Sequence, residues 1–386
     1  MKRNLLSFGL VFALLAAPAC KSGGGDNPRA KADDTGNIRV GIYADLSGQT
    51  NGSGQSIKNG VELARDEINQ AGGVGGRQIE LIVEDDQGLP EQSAAAVAKL
   101  VGQDQVQAVL GGAAAPSSLA AAPKAQEAKV PMLTLSSADP KVTEAGDYIF
   151  RVAFLDSLQG EEMAKYAANN LKARTAAVIL EEGSDYSREL AQSFEKNFGQ
   201  LGGQLTEKQS YAPADQDFKR QLAAVQSANP DVLYIPGRYN QAGLIAKEAR
   251  ELGIKAVLLG ADGWNDPRLF QLGGDALDGA YITSHYSADD PAQMVRDFTS
   301  AYRKRYGAPP DQTAARAYDA MKVLADALKR AGTSDGAKLR DAIAQTSKFS
   351  GVTGTITINA ERNASKPAVI FKLQGGKIYP VYRAEA

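Results

Sequence analysis

Short apolar runs alternate with amphipathic stretches along most of this chain. Residues 38–43 form an apolar run of strand length. The stretch that follows sets Ile57, Val61, Ala64 and Ile68 at spacings of four, three and four, one stripe of an amphipathic helix. The pattern next predicts a strand over 78–84, a helix over 91–101, a strand over 106–110, a helix over 117–128 and a strand over 130–135. After a passage around 148–156 it begins again, with helices over 158–171, 186–201, 218–228 and 240–252 interleaved with strands over 175–180, 204–209, 232–235 and 256–259. Strands separated by helices imply right-handed crossovers and parallel sheets covered on both faces. The predicted fold class is therefore α/β, with two doubly wound lobes.

The tail breaks the rhythm. Helices over 291–305, 313–331 and 335–345 precede strands over 354–358, 368–373 and 377–381, too little for a third lobe and suited to completing the first two. The chain then crosses between lobes near 152–156, 282–286 and 358–363, and a three-crossing connection is a hinge. The predicted division is 38–154 plus 286–360 for one lobe and 155–285 plus 361–386 for the other. Some 350 residues in two units of ordinary domain size agree with this.

The N-terminal segment has a different character. Lys2 and Arg3 precede an apolar run over 5–17, and Ala17-Pro18-Ala19 supplies small residues before Cys20, which makes 1–19 an export signal. The run is too short to span a bilayer. Cys20 is the one cysteine of the chain and the expected lipidation site, followed by a polar, Gly-rich tether over 20–37. Ala17-Pro18-Ala19 also fits an ordinary signal-peptidase site that releases a soluble protein. An unpaired thiol in an oxidising compartment, and a tether with nothing to hold, favour the lipid anchor. The folded part is then expected in the periplasm or at the cell surface, lipid-anchored to a membrane.

Composition narrows the chemistry. A formal net charge of -2 implies neither nucleic acid nor an acidic lipid surface as partner. One histidine, His285, and one cysteine leave no cluster for zinc or another transition metal, so no cofactor is expected. The Gly72-Gly73-Val74-Gly75-Gly76 run lies between a helix and a strand, whereas a dinucleotide fingerprint follows a strand and opens a helix. No G-x-S-x-G elbow is present, and an amidase or esterase would rest on His285 alone. Glu84-Asp85-Asp86 reads as a solvated strand-end cap. A non-enzymatic, monomeric protein is the expectation.

Several segments carry a family resemblance. They are Val40-Gly41-Ile42-Tyr43-Ala44-Asp45-Leu46-Ser47-Gly48, Asn59-Gly60-Val61-Glu62-Leu63-Ala64 with Asp66-Glu67-Ile68-Asn69, and Ala71-Gly72-Gly73-Val74-Gly75-Gly76-Arg77 ahead of Glu84-Asp85-Asp86. Val130-Pro131-Met132-Leu133 and Tyr318-Asp319-Ala320 continue it. In this order they resemble the leucine/isoleucine/valine-binding protein family, the solute-binding components of ABC importers. The resemblance covers nearly everything beyond the tether. It implies two α/β lobes closing over a small-molecule ligand, and a closed form that docks on a membrane permease. The protein is thus expected to be an extracytoplasmic lipoprotein that captures a branched-chain or related amino acid.

Ligands of doubly wound sheets sit beyond the carboxyl ends of the strands, which directs attention to 48–55, 111–118 and 135–139 in one lobe and 181–186, 236–240 and 260–264 in the other. Backbone amides at helix starts there suit a carboxylate. The resemblance implies that Asp262 holds a ligand ammonium and that Tyr186 and Tyr239 line the cleft. Relatives present hydroxyls where this chain has Ala115 and Ala138. Ser117, Ser118, Ser136 and Ser137 stand beside those positions as substitutes, or backbone amides alone hold the carboxylate. That departure keeps open an amide, a short peptide or an aromatic acid, received by a sensor instead of a permease. Trp264 either flanks the pocket or packs at its rim.

Overall fold

The computed structural model describes residues 36–366 and 368–383, so the export signal, Cys20 and nearly all of the tether lie outside the described residues. The first apolar run folds as β1 (Ile38–Ala44), joined by β2 (Ile79–Asp85), β3 (Ala108–Gly111), β4 (Met132–Thr134) and β5 (Ile149–Arg151). These pair in the order β2-β1-β3-β4-β5, all parallel, with a topological switch between β1 and β3. The second run forms β6 (Thr175–Glu181), β7 (Gln204–Tyr211), β8 (Val232–Tyr234), β9 (Val257–Gly260) and β10 (Tyr281–Ser284).

The tail returns to both sheets. Helices Gln293–Tyr306, Gln312–Ala331 and Gly336–Ala344 precede a small antiparallel sheet of β11 (Phe349–Gly351), β12 (Gly354–Ile358) and β13 (Ala364–Ser365). Then β14 (Val369–Gln374) and β15 (Lys377–Arg383) close the second sheet in the order β15-β14-β10-β9-β8-β6-β7, with β14 and β15 antiparallel and the rest parallel.

Each sheet is packed on both faces. Along β6, Ala177 and Ile179 enter one core with Leu233, Leu258 and Phe371, while Ala176 and Val178 enter the other with Phe194, Tyr234 and Leu259, the period of two of a strand. In the first unit the predicted stripe Ile57, Val61 and Ala64 is fully buried against Val40, Ile42 and, from the tail, Ala317, Ala320 and Leu324. Helix Asn51–Gln70 lies so close to helix Gln312–Ala331 that a Cβ on Gly60 would sit 2.2 Å from the Ala314 carbonyl oxygen. That approach, with the Arg305–Asp66 ion pair and a Ser56–Asp311 hydrogen bond, ties the tail helices to the first sheet.

Four strands were not in the sequence pattern. β5, β11 and β13 span two or three residues each, and β10 occupies the stretch expected as a crossing, pairing parallel to β9. The second crossing therefore starts after Ser284. The third falls between Ser365 and Val369, later than 358–363, because Ala364 still packs in the first core and pairs with Ile358.

Candidate functional site

Asp262 stands directly beyond the carboxyl end of β9, in a one-turn helix Asp262–Trp264. The turn is fixed from beneath. Trp264 is fully buried, and its indole N–H donates to the Ile235 carbonyl at 3.0 Å, so this side chain is core and not pocket rim. A Cβ on Gly263 would lie 2.7 Å from the Gly237 carbonyl oxygen and 2.8 Å from the Tyr186 hydroxyl, so only glycine lets the turn press against Tyr186.

The Asp262 carboxylate is held on one oxygen. Oδ1 accepts from the Tyr186 hydroxyl at 2.7 Å and from Gln159 Nε2 at 3.1 Å. The Asp262 backbone N–H donates back to Gln159 Oε1 at 3.1 Å, and Gly263 N–H donates to the Tyr186 hydroxyl at 2.9 Å. Oδ2 is looser, 3.5 Å from an Arg316 guanidinium nitrogen and 3.7 Å from His285 Nε2. Both exceed the usual 2.7–3.2 Å hydrogen-bond range. Gln312 Nε2 donates to the Asp262 carbonyl at 2.8 Å. Gln312 and Arg316 belong to the helix packed on the first sheet, so these contacts join the two halves of the molecule at this aspartate.

Burial sets the protonation of the surrounding groups. Asp156, at the start of helix Asp156–Asn169, is pushed well above the usual carboxyl range by burial, reinforced by the charges of Asp262 and Glu189, and accepts from Gln159 Nε2 at 3.2 Å. Burial also raises the Tyr186 phenol well above its ordinary value, with Asp262 and Asp156 adding to it, so Tyr186 acts only as a neutral hydroxyl. His285 is driven far below 6.5 by burial and by the cations of Arg316 and Lys366. Its imidazole is neutral, which makes the 3.7 Å approach to Asp262 no ion pair. The ring stacks on Phe154 at 3.6 Å, and Nδ1 has no partner among the described residues.

One first-lobe candidate, Ala138, is held by another buried guanidinium. Arg151, fully buried at the end of β5, donates to the Ala138 carbonyl at 3.2 Å and to the Asp139 carbonyl, and so clamps the loop after β4. Burial lowers its pKa to about 10, still high enough for it to stay charged at neutral pH. The Ser136 and Ser137 hydroxyls in that loop are buried without a partner among the described residues. Ala115 opens helix Ala115–Glu127. Ser117 and Ser118 are buried in its first turn, with Ser118 Oγ 3.0 Å from Thr134 Oγ1.

Of the second-lobe candidates, the structure joins Tyr186 to Asp262 directly. Tyr239, which opens helix Tyr239–Glu251, instead packs on the second core with the Arg268 guanidinium 4.4 Å over its ring. Asp156, Gln159, Gln312 and Arg316 escaped the sequence reading. Arg316 alone carried a signal: it precedes Ala320 and Leu324 by four and eight residues, placing a charge on the buried stripe of its helix. In the acidic run at the end of β2, Asp85 is exposed and accepts from the Leu46 and Gln87 amides, the solvated cap expected, whereas Asp86 is 3 % exposed and accepts from Ser93 Oγ at 2.8 Å and Gly88 N–H at 3.0 Å, a buried one.

Two surface hollows, of about 270 and 510 Å³, share no residue with this cluster. Among the described residues no group of His, Cys, Asp or Glu is arranged to hold a metal, and no helix is long and apolar enough to cross a membrane.

Residues 37–377 match the family described as periplasmic binding protein. The chain belongs to the periplasmic binding protein family. A relative in Brucella melitensis, named Leu/Ile/Val-binding protein homolog 3, is 30% identical over 345 residues, 88% of this chain and 92% of the relative. The branched-chain amino acid transporter substrate binding protein of Streptococcus pneumoniae, solved in complex with isoleucine, is 31% identical with a TM-score of 0.78, over 90% of this chain and 100% of that one. A solute binding protein of an ABC transporter from Rhodopseudomonas palustris, solved with 3,4-dihydroxy benzoic acid, is 27% identical with a TM-score of 0.78, over 91% and 98%. The resemblance read from the opening segments and the α/β fold class are thus both borne out. In this periplasmic binding protein the Asp262 cluster lies at the carboxyl ends of the strands, where doubly wound sheets present ligands.

Proposed function

We propose that this periplasmic binding protein captures a branched-chain or related amino acid between its two lobes and delivers it, chemically unchanged, to the permease of an ABC importer. The observation that carries the reading is the asymmetry of Asp262. Tyr186 and Gln159 hold Oδ1 firmly, while Oδ2 has only contacts of 3.5 and 3.7 Å and is free to accept a charge-assisted hydrogen bond from an ammonium. The names of the Brucella and Streptococcus relatives support the same class of solute.

Capture in this reading is a shift between two arrangements of the lobes. The hinge is the set of three passages after β5, β10 and β13, and each lobe is built on one of the two large sheets with its helices. A solute favours closure only through contacts that the closed state alone supplies. Asp262 offers such contacts, because it sits on one lobe and faces Gln312 and Arg316 of the other. The export signal and Cys20 fit a receptor held by lipid near a fixed permease, with the Gly-rich segment as its leash.

A second reading has one observation in its favour. A buried arginine beside Asp262 suits a solute with a carboxylate and no ammonium, and the Rhodopseudomonas relative was solved with an aromatic acid. A thermal-shift panel of the mature chain separates the two, since a ligand that binds only the folded form raises its melting temperature. The expected result is stabilisation by leucine, isoleucine or valine. Stabilisation by benzoate-type acids with none by any amino acid would replace the first reading with the second.

A further inference from the structure

Arg316 is 5 % exposed, yet its guanidinium is poorly satisfied. One terminal nitrogen is 3.5 Å from Asp262 Oδ2, the other is 3.5 Å from Thr313 Oγ1, and Nε has no partner among the described residues. A guanidinium has five N–H donors in a rigid fork that matches a carboxylate, and a buried one left with long contacts is costly. Asp319, one turn along the same helix, does not serve it. That carboxylate accepts from the Val352 and Thr353 amides and the Thr353 hydroxyl, and the charge beside it is Lys366.

We propose that Arg316 binds the carboxylate of the solute, and that an α-amino acid exchanges the Arg316–Asp262 contact for its own two charges. The proposal rests on the amino-acid reading above and gives the carboxylate a cationic partner beyond the neighbouring serines and backbone amides, since Ala115 and Ala138 offer no hydroxyl. The ammonium nitrogen and carboxylate carbon of an α-amino acid are about 2.5 Å apart, as the N–Cα and Cα–C bond lengths require. A zwitterion of that size can meet a cation and an anion that stand 3.5 Å apart. Its ammonium goes to Asp262 and its carboxylate to Arg316, so neither buried charge loses compensation. An amine without a carboxylate would draw Asp262 away from Arg316 and leave a buried cation unpaired. Arg316 thereby makes the site select zwitterions.

Calorimetric titration of the mature protein with leucine and with leucinamide, which keeps the ammonium but lacks the carboxylate, tests this in wild type, Arg316→Gln and Arg316→Lys. Wild type should prefer leucine to leucinamide by roughly 30-fold or more, the scale of losing one partner of a buried charge pair. Arg316→Gln should lose a similar factor for leucine while binding leucinamide as well as wild type does or better, because Asp262 no longer has a competing cation. Arg316→Lys should recover part of the leucine affinity. Equal weakening toward both ligands, or unchanged leucine affinity in Arg316→Gln, would overturn the carboxylate role and leave the amino-acid reading standing. Should Arg316→Gln fail to fold, as judged by circular dichroism, the wild-type pair decides, and equal affinity for leucine and leucinamide overturns the proposal. A wild type that binds no amino acid overturns both.

Discussion

His285 and Asp262 stand 3.7 Å apart, and burial decides what that contact is. Desolvation and the cations Arg316 and Lys366 hold the imidazole neutral, so in the fold it takes up a proton only well below 6.5. The unfolded chain binds that proton more readily, so stability from this residue is complete above the unfolded value and declines as pH falls below it. The melting temperature of the wild type should therefore drop more between about pH 7.5 and about pH 5 than that of His285→Phe, which keeps a ring on Phe154 but cannot titrate. Parallel pH profiles of the two proteins would remove the buried, neutral histidine from the account. At this scale the sequence was partly legible. Asp262 and Tyr186 occupy positions that a family resemblance marks, and the structure joins them through a 2.7 Å hydrogen bond. Arg316 and Gln159 were not marked, because they lie 54 and 103 residues from Asp262; tertiary packing within the second lobe brings Gln159 to it, and contact between the lobes brings Arg316.

At the scale of elements, long apolar runs and stripes were the legible part. β1, β6 and helix Asn51–Gln70 fall where the periodicity puts them, since each buries a face large enough to leave a pattern. β10 left none, because Tyr281–Ser284 is only four residues long and Thr283 and Ser284 are polar. Both are nonetheless buried, and Thr283 Oγ1 donates to Gln159 Oε1 at 2.9 Å. Gly60 is an element-scale feature with a direct consequence. Gly60→Ala gains about 1 kcal/mol of helix propensity. It also places a methyl 2.2 Å from the Ala314 carbonyl oxygen, and backbone cannot move aside as a flexible side chain can. Overpacking of that kind costs about 1–3 kcal/mol, so the net effect should be destabilising, a fall of a few degrees in melting temperature. An unchanged or higher melting temperature would mean that the two helices separate freely.

Among the described residues the molecule has two doubly wound sheets and a small antiparallel one, and Asp262 at the end of the second large sheet faces the helix carrying Arg316, which packs on the first. The division into two sheets was legible because the strand-helix rhythm stops and restarts around 148–156. The return of the tail to both sheets followed from its having too few strands for a sheet of its own. Where the third crossing falls was not legible, because β13 is two residues long and carries no period. One solute per molecule, held at the junction by Asp262, is the central claim, and calorimetric titration of isoleucine into wild type and Asp262→Ala tests it most directly. The account predicts a single site in the wild type and a loss of about 2–5 kcal/mol, roughly 30-fold or more, in Asp262→Ala. Wild-type affinity in Asp262→Ala would contradict it.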